Sequence, residues 1–212
     1  GGVFMLTNWE KPKKPEADVI EERLEELRKV LGTKQTQLKE HNKPVMVIFE
    51  GWGASGKGSL IGKIIKNIDP RFFKVSTMSV RTEEERRKPF LYRHFVRIPE
   101  AGKYTFYDGS WMDEVTGEYL HGKLSEKDYK KRLTSIKNFE RQLTDNGYLV
   151  LKFFLHIDEK EQSKRIKELL SDKNTKWRVS DDDLWQNKHY NKCSKVYDRY
   201  IEETHQPSAP CF

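Results

Sequence analysis

A chain of 212 residues is long enough to bury one well-formed core and short for two, so one domain with extensions is expected. No apolar run nears the roughly 20 residues of a membrane span, and the N-terminus lacks the layout of a secretory signal, which argues for a cytoplasmic protein with no membrane partner. With 40 Lys and Arg against 33 Asp and Glu, the formal charge is +7 and the pI about 9.2, favouring an anionic ligand. No stacking platform or groove-reading helix marks that ligand as a nucleic acid.

In chain order, Gly1 and Gly2 look like a tag remnant, and the Pro/Lys stretch 11–15 completes a flexible arm over residues 1–18. The domain proper is expected over 19–212. Ile20, Leu24, Leu27, Leu31 and Leu38 share one face of a helix over 19–40, whose expected resting place is the domain's own sheet, with a subunit interface as the alternative. Residues 45–49 are uninterruptedly apolar, as in a central parallel strand, and run into a glycine-rich turn and a helix over about 58–67. Asp69-Pro70 stops that helix, and 73–80 reads as a second strand. Thr82 and Glu85 form a capping box opening a helix that carries Arg86, Arg87, Arg93 and Arg97, bent at Pro89.

Residues 104–107 are a third strand, with Asp108 at its C-terminal end, where ligands bind in parallel sheets. Ser125 and Asp128 cap a long helix marked by Tyr129, Leu133, Ile136, Phe139 and Leu143, and Asn146-Gly147 turns into a strand over 148–157. Alternating strands and helices predict an α/β fold: a P-loop kinase-like parallel sheet with helices on both faces, plus a lid at about 171–183 between two helices. The two cysteines, Cys193 and Cys211, lack zinc-site spacing, so reduced thiols and no structural metal are expected.

The segment Gly51-Trp52-Gly53-Ala54-Ser55-Gly56-Lys57-Gly58-Ser59 follows a buried strand and opens a helix. Its glycines let backbone N–H groups turn onto phosphate oxygens, and Lys57 sets an ammonium near them. Gly58 stands where Ser or Thr would hold magnesium, leaving that work to Ser59 or water. Asp108 has the location of a carboxylate that holds Mg2+, the alternative being a cap for Ser110 or Trp111. Arg81 and the arginines after it could neutralise a polyanion or simply pair with Glu83, Glu84 and Glu85 on a solvated surface. Lys176 and Arg178 flank Trp177 in the lid segment, where cations could close over phosphates.

Together FEGWGASGKGS at 49–59, TEEERRKPFLYRHF at 82–95, YDGSW at 107–111, LKFFLHI at 151–157 and KWRVSDDD at 176–183 resemble the family-2 polyphosphate kinases, especially the polyphosphate:AMP phosphotransferases. The resemblance implies phosphoryl transfer between polyphosphate and a nucleoside mono- or diphosphate, AMP above all. It implies phosphate contacts from Gly56, Lys57, Ser59 and Arg93, magnesium on Asp108, and lid roles for Lys176 and Arg178. Gly53 replaces an acidic residue of the family pattern, Gly109 and Glu114 replace arginines, and Met112 replaces a tyrosine. Those departures resemble the N-terminal half of two-domain members. They support an alternative, a polyphosphate- or nucleotide-binding domain that assists a competent partner kinase domain or another copy. On electrostatic grounds Gly53→Asp, Gly109→Arg and Glu114→Arg together are expected to raise transfer. The P-loop by itself leaves an ATP-dependent small-molecule kinase open.

Overall fold

The computed structural model describes residues 5, 6 and 9–212, so the two leading glycines lie outside the described residues. Four parallel strands form one sheet in the order β2-β3-β1-β4. They are β1 (Val45–Gly51), β2 (Phe73–Thr77), β3 (Tyr104–Asp108) and β4 (Leu149–Leu155). β1 lies between β3 and β4, so every residue of it is buried, which is why its sequence is apolar throughout. Residues 210–212 run beside β4, with the Phe212 N–H donating to the Lys152 carbonyl at 2.9 Å and the Phe154 N–H to that of Phe212 at 2.9 Å.

Side-chain alternation along β1 separates two cores. Met46 and Ile48 face a cluster built from α5 (Trp111–Leu120), α6 (Glu126–Asp145) and α9 (Tyr190–Thr204). Val45, Val47 and Phe49 face the other side, against Ile61 and Ile64 of α2 (Lys57–Ile65) and Leu31 and Leu38 of α1 (Ala17–Glu40). Helices therefore cover both faces, as the pattern predicted. Only the C-terminal half of α1 docks on the sheet; Val19, Leu24, Leu27 and Val30 are exposed. Among the described residues no helix is long and apolar enough to cross a membrane.

The arginine-rich helix is two helices, α3 (Glu83–Arg87) and α4 (Tyr92–Phe95). Pro89 has no N–H to give and forces Lys88 into extended backbone at ψ 160°, so the helix ends there and Arg86 shares no face with Arg93 or Arg97. The capping box of Thr82 and Glu85 forms as expected. β2 stops at Thr77 rather than 80, where its pairing with β3 runs out at Asp108. α5 was not anticipated. Gly109 and Gly117 mask a helical spacing of Trp111, Met112, Val115 and Leu120, all of which are buried.

Candidate phosphate-binding site

The P-loop is held rigidly from behind. Gly51 has φ +126°, and a Cβ there would lie 2.3 Å from the Leu155 carbonyl oxygen, so only glycine passes this crossing of β1 and β4. Trp52 is fully buried, stacked on Tyr190 with centroids 4.0 Å apart, and its indole N–H reaches His156 Nδ1 at 3.0 Å. The Gly53 peptide is gripped on both sides: its N–H donates to Gln186 Oε1 at 2.8 Å, and its carbonyl accepts from Gln162 Nε2 at 3.2 Å. Gln186 belongs to α8 (Asp181–Lys188) and Gln162 to α7 (Glu159–Ser171), and both side chains are buried. Arg165 of α7 also donates to the Ser55 carbonyl at 3.1 Å. These long-range partners carry no local motif, and the loop sequence alone does not reveal them.

In front of the loop is a cavity of about 920 Å³ lined by residues 53–59 together with Asp108, Arg165, Trp177, Arg178 and Asp183. Lys57 folds back on the loop, donating to the Gly51 and Trp52 carbonyls at 3.1 Å each. The Ser55 hydroxyl is buried with no hydrogen-bond partner. The Asp108 carboxylate makes no hydrogen bond or ion pair among the described residues, so it is not a cap for Ser110 or Trp111; its backbone carbonyl accepts from the Met78 N–H at 3.2 Å. Its Oδ2 lies 3.2 Å from where a Cβ on Gly58 would stand. The missing side chain at Gly58 thus leaves room beside Asp108. No cluster of three or more His, Cys, Asp or Glu fit to hold a metal occurs among the described residues. Magnesium bound through one carboxylate, a hydroxyl, waters and substrate phosphates needs no such cluster.

A second cavity, of about 810 Å³, is lined by Arg81, Arg86, Arg93, Asp113, Glu114 and Asp182 among others. Arg81 and Arg93 therefore stand apart from the P-loop cavity. Arg81 is tied to Glu114, and its Nη2 lies 3.1 Å from Glu118. Arg93 is almost wholly buried and donates to the Ser79 carbonyl at 2.9 Å and hydroxyl at 3.1 Å. Burial acts to raise the Glu114 carboxyl, but the hydrogen bond from His94 and the Arg81 guanidinium outweigh it and hold the group below its usual range. Asp113 is pushed up by burial, against the pull of Lys57, with Asp182, Asp108 and Asp183 adding to the rise. Of the residues in the expected lid segment, Trp177 and Arg178 line the P-loop cavity while Lys176 lines neither, and Trp177 is 75% exposed.

The geometry also corrects the expectation that three substitutions would restore the family pattern. A Cβ on Gly53 would stand 2.0 Å from Asp183 Oδ1, whose carboxylate is fixed by the Ser180 N–H at 2.8 Å. Gly109 has φ +74° and would place a Cβ 2.8 Å from Asp113 Oδ2, and an arginine at 114 would face Arg81 and His94. Gly53→Asp is expected to push Asp183 and the start of α8 outward. That overpacking should cost about 1–3 kcal/mol, and each kcal/mol lowers the melting temperature of a chain this size by roughly 2–4 °C. An unchanged melting temperature by calorimetry would contradict the contact.

The profile of the family described as Polyphosphate kinase 2 (PPK2) matches residues 14–212. A polyphosphate:AMP phosphotransferase of Pseudomonas syringae pv. tomato is 36% identical over 152 residues, covering 72% of this chain and 30% of its own length. The ADP-polyphosphate phosphotransferase 3 of Rhizobium meliloti is 29% identical over 187 residues, covering 88% of this chain and 66% of its own. The chain thus spans less than two thirds of either relative. In shape, a polyphosphate kinase 2 crystal structure from Arthrobacter aurescens TC1 superposes with a TM-score of 0.90 at 24% identity, over 100% of this chain and 78% of that one. With its glycine loop opening α2 at the end of a buried strand and its motifs in the matching order, the chain belongs to the polyphosphate kinase 2 family.

Proposed function

We propose that this domain binds polyphosphate at the P-loop cavity and transfers a phosphoryl group between it and a nucleoside mono- or diphosphate, AMP being the first acceptor to test. The observation that carries the reading is the placement of Lys57 and a carboxylate-unpartnered Asp108 on one cavity, next to a second cavity, lined by arginines and carboxylates alike, for the acceptor. The names of the Pseudomonas syringae and Rhizobium relatives supply the substrate class. Lys57 leaves two neutral carbonyls, to which it is only modestly bound, for phosphate oxygens that reward its charge more. The free N–H groups at the start of α2 orient the same oxygens. Arg165 and Arg178 line the same cavity and would offset charge as Trp177 helps exclude water. Asp108 with Ser59 are the residues that would hold magnesium, which would supply positive charge against the phosphates.

A second reading, a binding domain that works beside a competent partner, is favoured by one observation: Arg81 is already matched by Glu114 and Glu118, which leaves less free cation for transfer. Titration calorimetry with polyphosphate at two salt concentrations tests the shared premise. Affinity should fall steeply with salt, because the contacts are Lys and Arg to phosphate. Absence of binding at low salt contradicts both readings.

A further inference from the structure

Glu50 immediately precedes the P-loop and is 4% exposed, yet it has no cation within ion-pair distance among the described residues. Its Oε1 accepts from the hydroxyl of Ser110. Ser110 sits at the N-cap of α5, the position where a serine ordinarily accepts from its own helix, and it makes no such bond. The hydroxyl is spent on Glu50 instead. The two residues leave the sheet side by side, since the Gly109 N–H donates to the Phe49 carbonyl at 2.9 Å. Glu50 is thus bonded to the turn that directly follows Asp108.

The other oxygen, Oε2, is buried without a partner, and so is the Tyr200 hydroxyl. Glu50 and Tyr200 line one small internal space of about 20 Å³, together with Ser110, Lys152 and Cys211. A space of that size accommodates one water, for which about 10–15 Å³ suffices, and two facing polar groups give it hydrogen bonds. Lys152 is committed to Glu140 at 2.7 Å and does not neutralise Glu50. Burial pushes the Glu50 carboxyl up, and the nearby Asp113 adds to this. The Ser110 bond and Lys57 pull the other way, Asp108 adds a further upward push, and the net direction is upward.

We propose that Glu50 is a positioning residue: through Ser110, and through a water shared with Tyr200, it fixes the Asp108 turn against the entrance of the P-loop and so sets the spacing of Asp108 and Lys57. This rests on reading that cavity as the phosphate site. With an oxygen that accepts from Ser110 and no ion-pair partner among the described residues, Glu50 acts by hydrogen bonding, so Glu50→Gln, which keeps the shape and the acceptor, is expected to rescue what Glu50→Ala loses.

The test is a magnesium titration of tripolyphosphate binding by the full chain, with melting temperatures taken alongside. Glu50→Ala and Ser110→Ala should each weaken the apparent magnesium affinity about tenfold or more, while Glu50→Gln stays within about twofold of the parent. A Glu50→Gln variant as impaired as Glu50→Ala would mean that the charge matters, which overturns the proposal. So would a Ser110→Ala variant that titrates like the parent, a measurement that stands even where Glu50→Ala fails to fold. If the parent binds no tripolyphosphate, the phosphate reading fails by itself. The tie is then judged by melting temperatures: Glu50→Ala and Ser110→Ala effects that are non-additive support it, and additive effects refute it.

Discussion

Lys57→Ala is expected to reduce phosphoryl transfer by about 10²–10³, the usual cost of losing one preorganised donor to developing negative charge, and to weaken polyphosphate binding strongly. The fold should survive. Lys57 is only partly buried, and its two bonds to the Gly51 and Trp52 carbonyls are peripheral to both cores. Losing them should cost about 1–2 kcal/mol each. Affinity and melting temperature both unchanged by calorimetry would show that the loop is a structural turn, and the phosphate reading would go with it.

Asp108→Asn should abolish the magnesium dependence of binding and turnover. The carboxylate has no hydrogen bond or ion pair among the described residues, and the amide keeps its volume, so the substitution sacrifices no internal contact. What it removes is the charge that attracts a hard cation. Binding measured without metal is the control and should be little altered. A variant whose response to magnesium matches the parent's would make Asp108 a bystander at the end of β3.

Much of this site is written locally. A buried strand running into glycines and a lysine announces the loop, and a polar break after residues 104–107 announces Asp108, because both signals lie within a dozen residues of the atoms they position. The α/β class follows from alternation, and both helical faces were legible for the same reason. The strand order was not, since β1 pairs with β3 and β4 through crossovers that leave no local trace. What the pattern of motifs misjudged was electrostatic context. Glu114 reads as a lost arginine, yet it is the partner of Arg81 and His94. Gly53 reads as a lost acid, yet Asp183, 130 residues on, already occupies the space beside it. Arginines 86, 93 and 97 read as one bent helix because helical spacing was carried through a proline that ends it.

Whether polyphosphate is the phosphoryl donor or acceptor at the P-loop is tested most directly by separation of nucleotides after incubation. The purified chain would be supplied with AMP or ADP, polyphosphate and magnesium, and in parallel with ATP in place of polyphosphate. ADP or ATP should form from polyphosphate and be lost in Lys57→Ala and Asp108→Asn, with no comparable product when ATP is the donor. Phosphorylated product only with ATP, or polyphosphate binding with no turnover under any acceptor, would contradict that role for polyphosphate.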